Sequence, residues 1–361
     1  MNSRWKFFSP SPHSGYHWDG GQRRFFEGWY VRVTLPHCRQ SFAFMYSIDD
    51  PIGNKPCSGG CVQILGKNEE YLCRTFPDVK TFWAWQQDWG LGHYKLRSQP
   101  EHGKVLQGLA PDPFDQLVKE GYQMTPTWHQ GKLDDPTGKQ VAWAYAVEPV
   151  YHWGNSRAMQ QATAGWLSFL PIFEPGWQVL VAHGWATGWI DWQGQRYEFE
   201  QAPLYAEKNW GGAFPQKWFW IQCNAFTAMP DLTLTAVGGR RKVLGWTESV
   251  GMIGLHSQGQ FYEFVPWNST IGWHVTPWGY WHIWAENDRY VVDVIGTVAH
   301  APAQVRVPTE QGLVFACRDT THGDLHVKLK EKNTHKLVLE ADSQWAGLET
   351  GGEWDGIWIA N

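Results

Sequence analysis

The sequence predicts an all-β chain, with many short strands curled into barrels or packed as sandwiches. Alternation is the first reason. Ser41 to Ile48 sets Phe42, Phe44, Tyr46 and Ile48 on one strand face. Trp218 to Phe226 sets Trp218, Trp220, Gln222, Asn224 and Phe226 on one face, with Phe219, Ile221 and Cys223 on the other. That period of two is what a strand with two distinct faces requires. Punctuation is the second reason. The 38 Gly and 21 Pro are scattered rather than gathered in a linker. Pairs such as Gly259-Gln260 and Gly238-Gly239 read as hairpin turns. The third is the scarcity of helical periodicity, which leaves a barrel or sandwich as the expected architecture.

Further strands follow the same logic. Tyr290 to Ile295 alternates, with Asp293 on the face of Val291 and Ile295, and Trp278, Tyr280, His282 and Trp284 alternate along another. One stretch, Ser156 to Phe173, reads as a loosely amphipathic helix through Ala158, Met159, Ala162, Trp166, Leu167, Phe169 and Leu170, limited by Pro171 and Pro175. It is expected to cross a barrel end or to serve as an apolar lid that touches lipid. No fixed-period repeat is present. The halves share a strand-rich, Trp-rich style, and the expected division is 1–202 and 203–361, at Ala202-Pro203 between the Arg196 to Glu200 strand and the motif that starts at Tyr205.

Composition narrows the functions. A chain of 361 residues can bury a sizeable core without disulfides or metal. The net charge of -5 and the absence of a basic stripe argue against a nucleic-acid partner. The densest basic run, Arg240-Arg241-Lys242, reads as a solvated turn. The 26 Trp are the loudest feature. Most are expected to fill a β core, and the rest to line a cavity for a large apolar ligand. No window holds the roughly 20 apolar residues of a membrane-spanning helix. Met1 to Pro10 lacks the apolar core of a secretory signal, so an intracellular protein is expected. The six Cys show no Cys-x-x-Cys spacing, and buried thiols are expected rather than zinc ligands.

The Gly-x-Ser-x-Gly elbow, the Walker loop, His-Glu-x-x-His and a Gly-x-Gly-x-x-Gly after a strand are all missing, which argues against hydrolase, NTPase, zinc-protease and nicotinamide chemistry. Less common blocks stand instead: His13-Ser14-Gly15-Tyr16-His17-Trp18-Asp19-Gly20, Arg23-Arg24-Phe25-Phe26-Glu27-Gly28-Trp29-Tyr30, Ser41 to Ser47, Thr187-Gly188-Trp189-Ile190-Asp191-Trp192, Tyr205-Ala206-Glu207-Lys208-Asn209-Trp210-Gly211, Trp218 to Asn224, and Phe261 to Trp267.

In this order the blocks resemble the tocopherol cyclase family, from about Ser11 to the C-terminus. The resemblance implies two lipocalin-like β halves with few short helices, and a distant likeness to carotenoid hydratases and pericyclases whose ligand lies near the meeting of the halves. It implies that a phenol oxygen of a prenylated hydroquinone, such as dimethyl-phytyl-hydroquinone, closes onto the first double bond of its tail to give a chromanol. It implies no redox cofactor and no metal. The expected partner is that apolar hydroquinone, with peripheral contact to a photosynthetic membrane or lipid droplet. Met1 to Pro10 does not read as the plastid-targeting extension of plant members, so a cyanobacterial-type or mature form is expected.

Such a closure needs an acid, a cage that tolerates a cation, and a folded tail. A carboxyl stays protonated near neutral pH when it is buried among apolar groups. Glu207, in the densest motif, is the leading candidate, followed by Asp293 and Asp191. Each could instead be structural: Glu207 could pair with Lys208 or Lys217, and Glu27 with Arg23 or Arg24. Trp210, Trp218 and Trp220 flank the motif and could hold the cation on their faces, as could Tyr280 and His282 on their strand. Asn209, Gln222 and Asn224 could bind the hydroquinone hydroxyls or, equally, strand-end backbone. His13 and His17 are not expected to hold metal, and one could act on the phenol as a base. Dry walls would favour closure, and wet walls the tertiary alcohol of a hydratase. A carrier without chemistry is the rival from another class.

Overall fold

A computed structural model of the chain describes residues 11–98, 106–155, 160–170, 174–243, 246–309 and 311–360. The first half holds strands β1 (Phe26–Leu35), β2 (Gln40–Asp49), β3 (Gly59–Leu65), β4 (Tyr71–Phe76), β5 (Phe82–Ala84), β6 (Leu91–Leu96), β7 (Val118–Met124), β8 (Trp128–Asp134), β9 (Gln140–Tyr151), β10 (Gly176–Trp192) and β11 (Gln195–Gly211), with one short helix, Pro111–Leu117. The second holds β12 (Lys217–Cys223), β13 (Thr233–Val243), β14 (Trp246–Ser257), β15 (Gln260–Phe264), β16 (Thr270–Val275), β17 (Tyr280–Glu286), β18 (Tyr290–Thr297), β19 (Ala303–Thr309), β20 (Gly312–Glu331), β21 (Leu337–Gly352) and β22 (Trp358–Ala360).

Each half is one antiparallel sheet of 11 strands. The first runs β4-β3-β2-β1-β11-β10-β9-β8-β7-β6-β5, and the second β15-β14-β13-β12-β21-β20-β18-β17-β16-β22 with β19 on β20. The architecture is all-β, with two lipocalin-like halves. The sheet changes between Gly211 and Lys217, and Ala202-Pro203 lies inside β11.

Each sheet curls around its own apolar filling, and alternation decides which side chains go there. Along β1, Trp29, Val31 and Val33 enter the first core, while Tyr30 and Arg32 face the second half. Along β12, Phe219, Ile221 and Cys223 enter the second core, while Trp218, Trp220, Gln222 and Asn224 face the first half.

Polar bolts join the halves. The buried Arg32 guanidinium donates to Gln222 Oε1 (3.0 Å), Thr321 O (2.9 Å) and Trp345 O. Asn224 donates to Leu204 O at 2.8 Å. Glu69 accepts from Thr320 Oγ1 at 2.6 Å.

Three local expectations differ. Gly238-Gly239 is not a turn but part of β13, where a Cβ at Gly238 would collide with the Phe219 ring. Arg240 and Arg241 lie in the same strand, and Arg241 pairs with Glu248 at 2.8 Å. The expected helix from Ser156 to Phe173 is, among the described residues, a single 3-10 turn at Gly165–Phe169. Its residues 156–159 and 171–173 lie outside the described residues. The turn leaves Trp166 69% and Phe169 63% exposed.

Candidate active site

A cavity opens between the two sheets, about 1220 Å³ of atom-free space counting its mouth. The first half contributes Phe26, Tyr30, Met45, Trp177, Glu207 and Asn209, and the second Trp218, Trp220, Val237, Met252, Val305, Val307 and Glu349. The walls are therefore mainly apolar and aromatic. A second cavity, toward the Gly165–Phe169 turn, shares Pro175, Trp177, Arg241 and Met252 with the first and reaches Phe169 and Leu170.

Glu207 sits in the wall of the first cavity, 7% exposed. Three donors converge on its Oε2: the Tyr205 hydroxyl at 2.6 Å, the Trp177 indole N–H at 2.9 Å and the Trp220 indole N–H at 3.0 Å. Among the described residues no hydrogen bond reaches Oε1. A proton on this carboxyl therefore belongs on Oε1, since Oε2 is already occupied by three hydrogens. Burial pushes the Glu207 pKa up to about 7, against the pull of those three donors. The result is an acid near neutrality whose conjugate base is met by ready-made donors.

Among the described residues no cation pairs with Glu207, and the expected pairings fall elsewhere for a geometric reason. Neighbouring residues on a strand point to opposite faces. Lys208 thus points into the first half, where it pairs with the buried Glu27 and donates to Gly15 O at 2.7 Å. Lys217 reaches Asp355 at 2.7 Å. Arg24 takes Asp49 at 3.2 Å rather than Glu27.

Other expected site residues divide clearly. Asn209, Trp218 and Trp220 line the cavity with Glu207. Trp210 lies on the opposite face of β11, in the wall of the second cavity, stacked on His17 at 3.9 Å between ring centroids. His13 lines the same wall and bonds Ser168 at 2.8 Å. Gln222 and Asn224 share the face of Trp220 but do not line the cavity: Gln222 Oε1 accepts from Arg32, its Nε2 has no partner among the described residues, and Asn224 donates to Leu204 O. Asp191, expected as a buried acid, closes the β10–β11 hairpin by accepting the Gly194 N–H at 2.9 Å. Asp293 was also expected to be buried, yet its side chain is 41% exposed and holds His282 at 2.9 Å. The reason is the pleat: Trp281 and Ile283 fill the second core, so Tyr280 and His282 point outward, away from the cavity. Cys61 and Cys73 bring their sulfurs to 3.6 Å, and no group of three metal-ligating side chains forms among the described residues.

Sequence reasoning missed Tyr30, Trp177, Asp319 and Glu349. Tyr30 is the register partner of Glu207, and its hydroxyl has no partner among the described residues. Glu349 accepts from Trp218 Nε1. Its signal was the flanking Gly347 and Gly351, where a Cβ would collide with the Trp220 and Trp218 indoles. Two bare positions on β21 mark where large rings lie across it.

The family model described as tocopherol cyclase-like matches residues 23–352. A probable chloroplastic tocopherol cyclase of Oryza sativa subsp. japonica is 43% identical, over 97% of this chain and 81% of its own length. The chloroplastic tocopherol cyclase of Zea mays is 44% identical with the same coverage. The crystal structure of CghA superposes with a TM-score of 0.51 at 8% identity, over 91% of this chain and 88% of that one, a likeness of fold.

Proposed function

The chain belongs to the tocopherol cyclase-like family, and from that premise we propose that it closes the chromanol ring of a prenylated hydroquinone with Glu207 as the acid. The observation that carries this is a buried carboxyl in the wall of an apolar cavity between the halves, with three donors on Oε2 and no partner on Oε1 among the described residues; burial raises its pKa to about 7.

The ring and the first double bond of the tail lie against Glu207. Oε1 gives its proton to the alkene carbon nearer the ring, and a tertiary cation forms one carbon farther out. The faces of Tyr30, Trp177 and Trp220 border this position, and each well-placed ring contributes about 0.5–2 kcal/mol to holding the cation. The phenol oxygen then bonds to the cationic carbon and closes a six-membered ring. The carboxylate left behind keeps the three donors on Oε2. Met45, Val237, Met252, Val305 and Val307 give dry walls, so the ring oxygen rather than water captures the cation. Asn209 is positioned to bind a ring hydroxyl.

The rest of the tail runs past Trp177 and Met252 into the second cavity. The exposed rings of Trp166 and Phe169 support contact with a lipid surface, from which the tail enters beside Leu170.

The test is direct. Purified protein, treated with chelator and given no nucleotide, is incubated anaerobically with dimethyl-phytyl-hydroquinone in detergent, and products are resolved by chiral chromatography. A single chromanol enantiomer is expected. Saturable quenching of Trp fluorescence without product would make the chain a carrier.

A further inference from the structure

Glu207 has company. Glu349 on β21 lines the same cavity, and its register partner across β20 is Asp319. Asp319 is 1% exposed, and its Oδ1 has no hydrogen-bond partner among the described residues. Two carboxyls side by side away from water do not both ionise, because each raises the other's pKa. Burial, and then the Glu349 charge, hold Asp319 well above the usual carboxylate range, and burial also raises Glu349. The pair therefore carries one proton between them. The division follows from the donors. Trp218 Nε1 and the Cys317 thiol both point hydrogens at Glu349, whereas Asp319 is served by the Thr320 backbone N–H alone and its Oδ1 has no partner among the described residues. Asp319 holds the proton and Glu349 is the ionised member.

The wall has a simple plan. Trp218 and Trp220 stand two residues apart on one face of β12. The indole N–H of Trp220 serves Glu207 and that of Trp218 serves Glu349. One cavity thus presents a protonated carboxyl and an ionised one, set by their surroundings. The closure needs both, since one proton is delivered to carbon and another leaves oxygen.

Resting on the cyclase reading above, we propose that Glu349 is the second catalytic carboxyl, the base that takes the proton of the ring hydroxyl as its oxygen attacks the cation. The step balances. The Glu207 O–H breaks, and the alkene π pair forms the new C–H bond. A lone pair of the phenol oxygen forms the C–O bond, and its O–H pair stays on oxygen while the proton passes to Glu349. Glu207 ends as carboxylate and Glu349 as acid, and return of one proton between them restores both. Tyr30, which lines the cavity with a free hydroxyl opposite Glu207, stands where that return can pass.

The experiment is hydrogen exchange in D2O with dimethyl-phytyl-hydroquinone as substrate. In Glu349→Gln the cation still forms at Glu207, but its capture is impaired. Chromanol formation is expected to fall by about 10²-fold or more. Substrate recovered from that reaction should carry deuterium at the alkene carbon nearer the ring, because a cation that is not captured returns a proton from that carbon to Glu207 and leaves the deuterium behind. In Glu207→Gln both product and exchange should vanish. Glu349→Asp, which keeps a carboxylate, should regain part of the product. Unchanged cyclisation by Glu349→Gln overturns the proposal. So does loss of product without exchange while fluorescence still reports binding, and so does loss of binding in both Glu349 variants. Exchange that persists in Glu207→Gln would instead overturn Glu207 as the acid, a separate result.

Discussion

The indole N–H of Trp220 stands 3.0 Å from Glu207 Oε2, reaching from the first strand of the second half to the last strand of the first. The acid of one half is thus tuned by a ring of the other, and the site exists only where the halves meet. This explains why Trp218 to Asn224 and Tyr205 to Gly211 stand close in the chain: the short 212–216 segment lets consecutive strands of different sheets face each other.

The pH dependence follows from the state Glu207 must hold. In the proposed reaction the group works as an acid, so it is competent when protonated. Its pKa is raised to about 7, first by burial. Turnover is therefore expected to decline as pH rises through about 7, by about one log unit per pH unit, when protonation limits the rate. Initial rates of chromanol formation between pH 5.5 and 9, roughly the span that brackets this value, check it. A flat profile across that range would remove Glu207 from the acid's role.

Trp220→Phe keeps most of the packing and deletes one donor to Oε2. That donor favours the carboxylate, so its loss raises the pKa further and weakens the acid. The alkaline limb should move to higher pH while the rate below it falls by about tenfold, in keeping with the ~1.5 kcal/mol of a hydrogen bond to a charged group. Trp177→Phe should do the same, since its N–H is bound at 2.9 Å. The pH profiles of the two variants supply the measurement.

The β class and the face assignment of Trp218 to Asn224 were legible because a period of two survives any tertiary context. Glu207 stood out in the sequence because it lies in a dense block of aromatic and polar residues, and its strand carries it into the cavity wall. Asp293 misled for an instructive reason. Val291 and Ile295 mark its face as apolar, yet that face is the outside of the second half, and alternation does not say which side of a two-faced strand holds the core. Gln222 and Asn224 sit on the right face but are bound to Arg32 and Leu204, partners distant in sequence. Glu349 is paired through Trp218 and Asp319, which only the strand register brings together.

The Gly165–Phe169 turn offers a test of lipid contact. Trp166 and Phe169 are exposed rings beside the second cavity. Burying one such ring in a lipid interface is worth on the order of 1.5–3 kcal/mol. Replacing Trp166, which does not line that cavity, with Asp should weaken binding to vesicles at least 10-fold by the same reckoning, while cyclisation of substrate supplied in detergent is largely kept. Flotation with liposomes measures it. Equal recovery of both proteins in the lipid fraction would mean that this surface does not dock.

Lys208 and Glu27 form a fully buried ion pair inside the first half, with the Lys208 ammonium also near the faces of Trp29 and Trp210. Burial alone would raise the Glu27 pKa, but the Lys208 charge and the His17 hydrogen bond outweigh it and hold the pKa below 4.5. A depressed carboxyl contributes stability that is fully present above its unfolded value and is lost as pH falls through the folded one. The wild type should therefore lose stability below about pH 4.5. Lys208→Met strands a buried carboxylate and should cost about 3–5 kcal/mol at neutral pH. The double variant Glu27→Gln, Lys208→Met removes the stranded charge and should recover most of that loss. Urea denaturation of the three proteins at pH 7 distinguishes the cases. If the double variant is no more stable than Lys208→Met, then the loss comes from the contacts to Ser14 and Gly15 that Lys208 makes, and the pair's charge is not what holds the N-terminal segment against the first half.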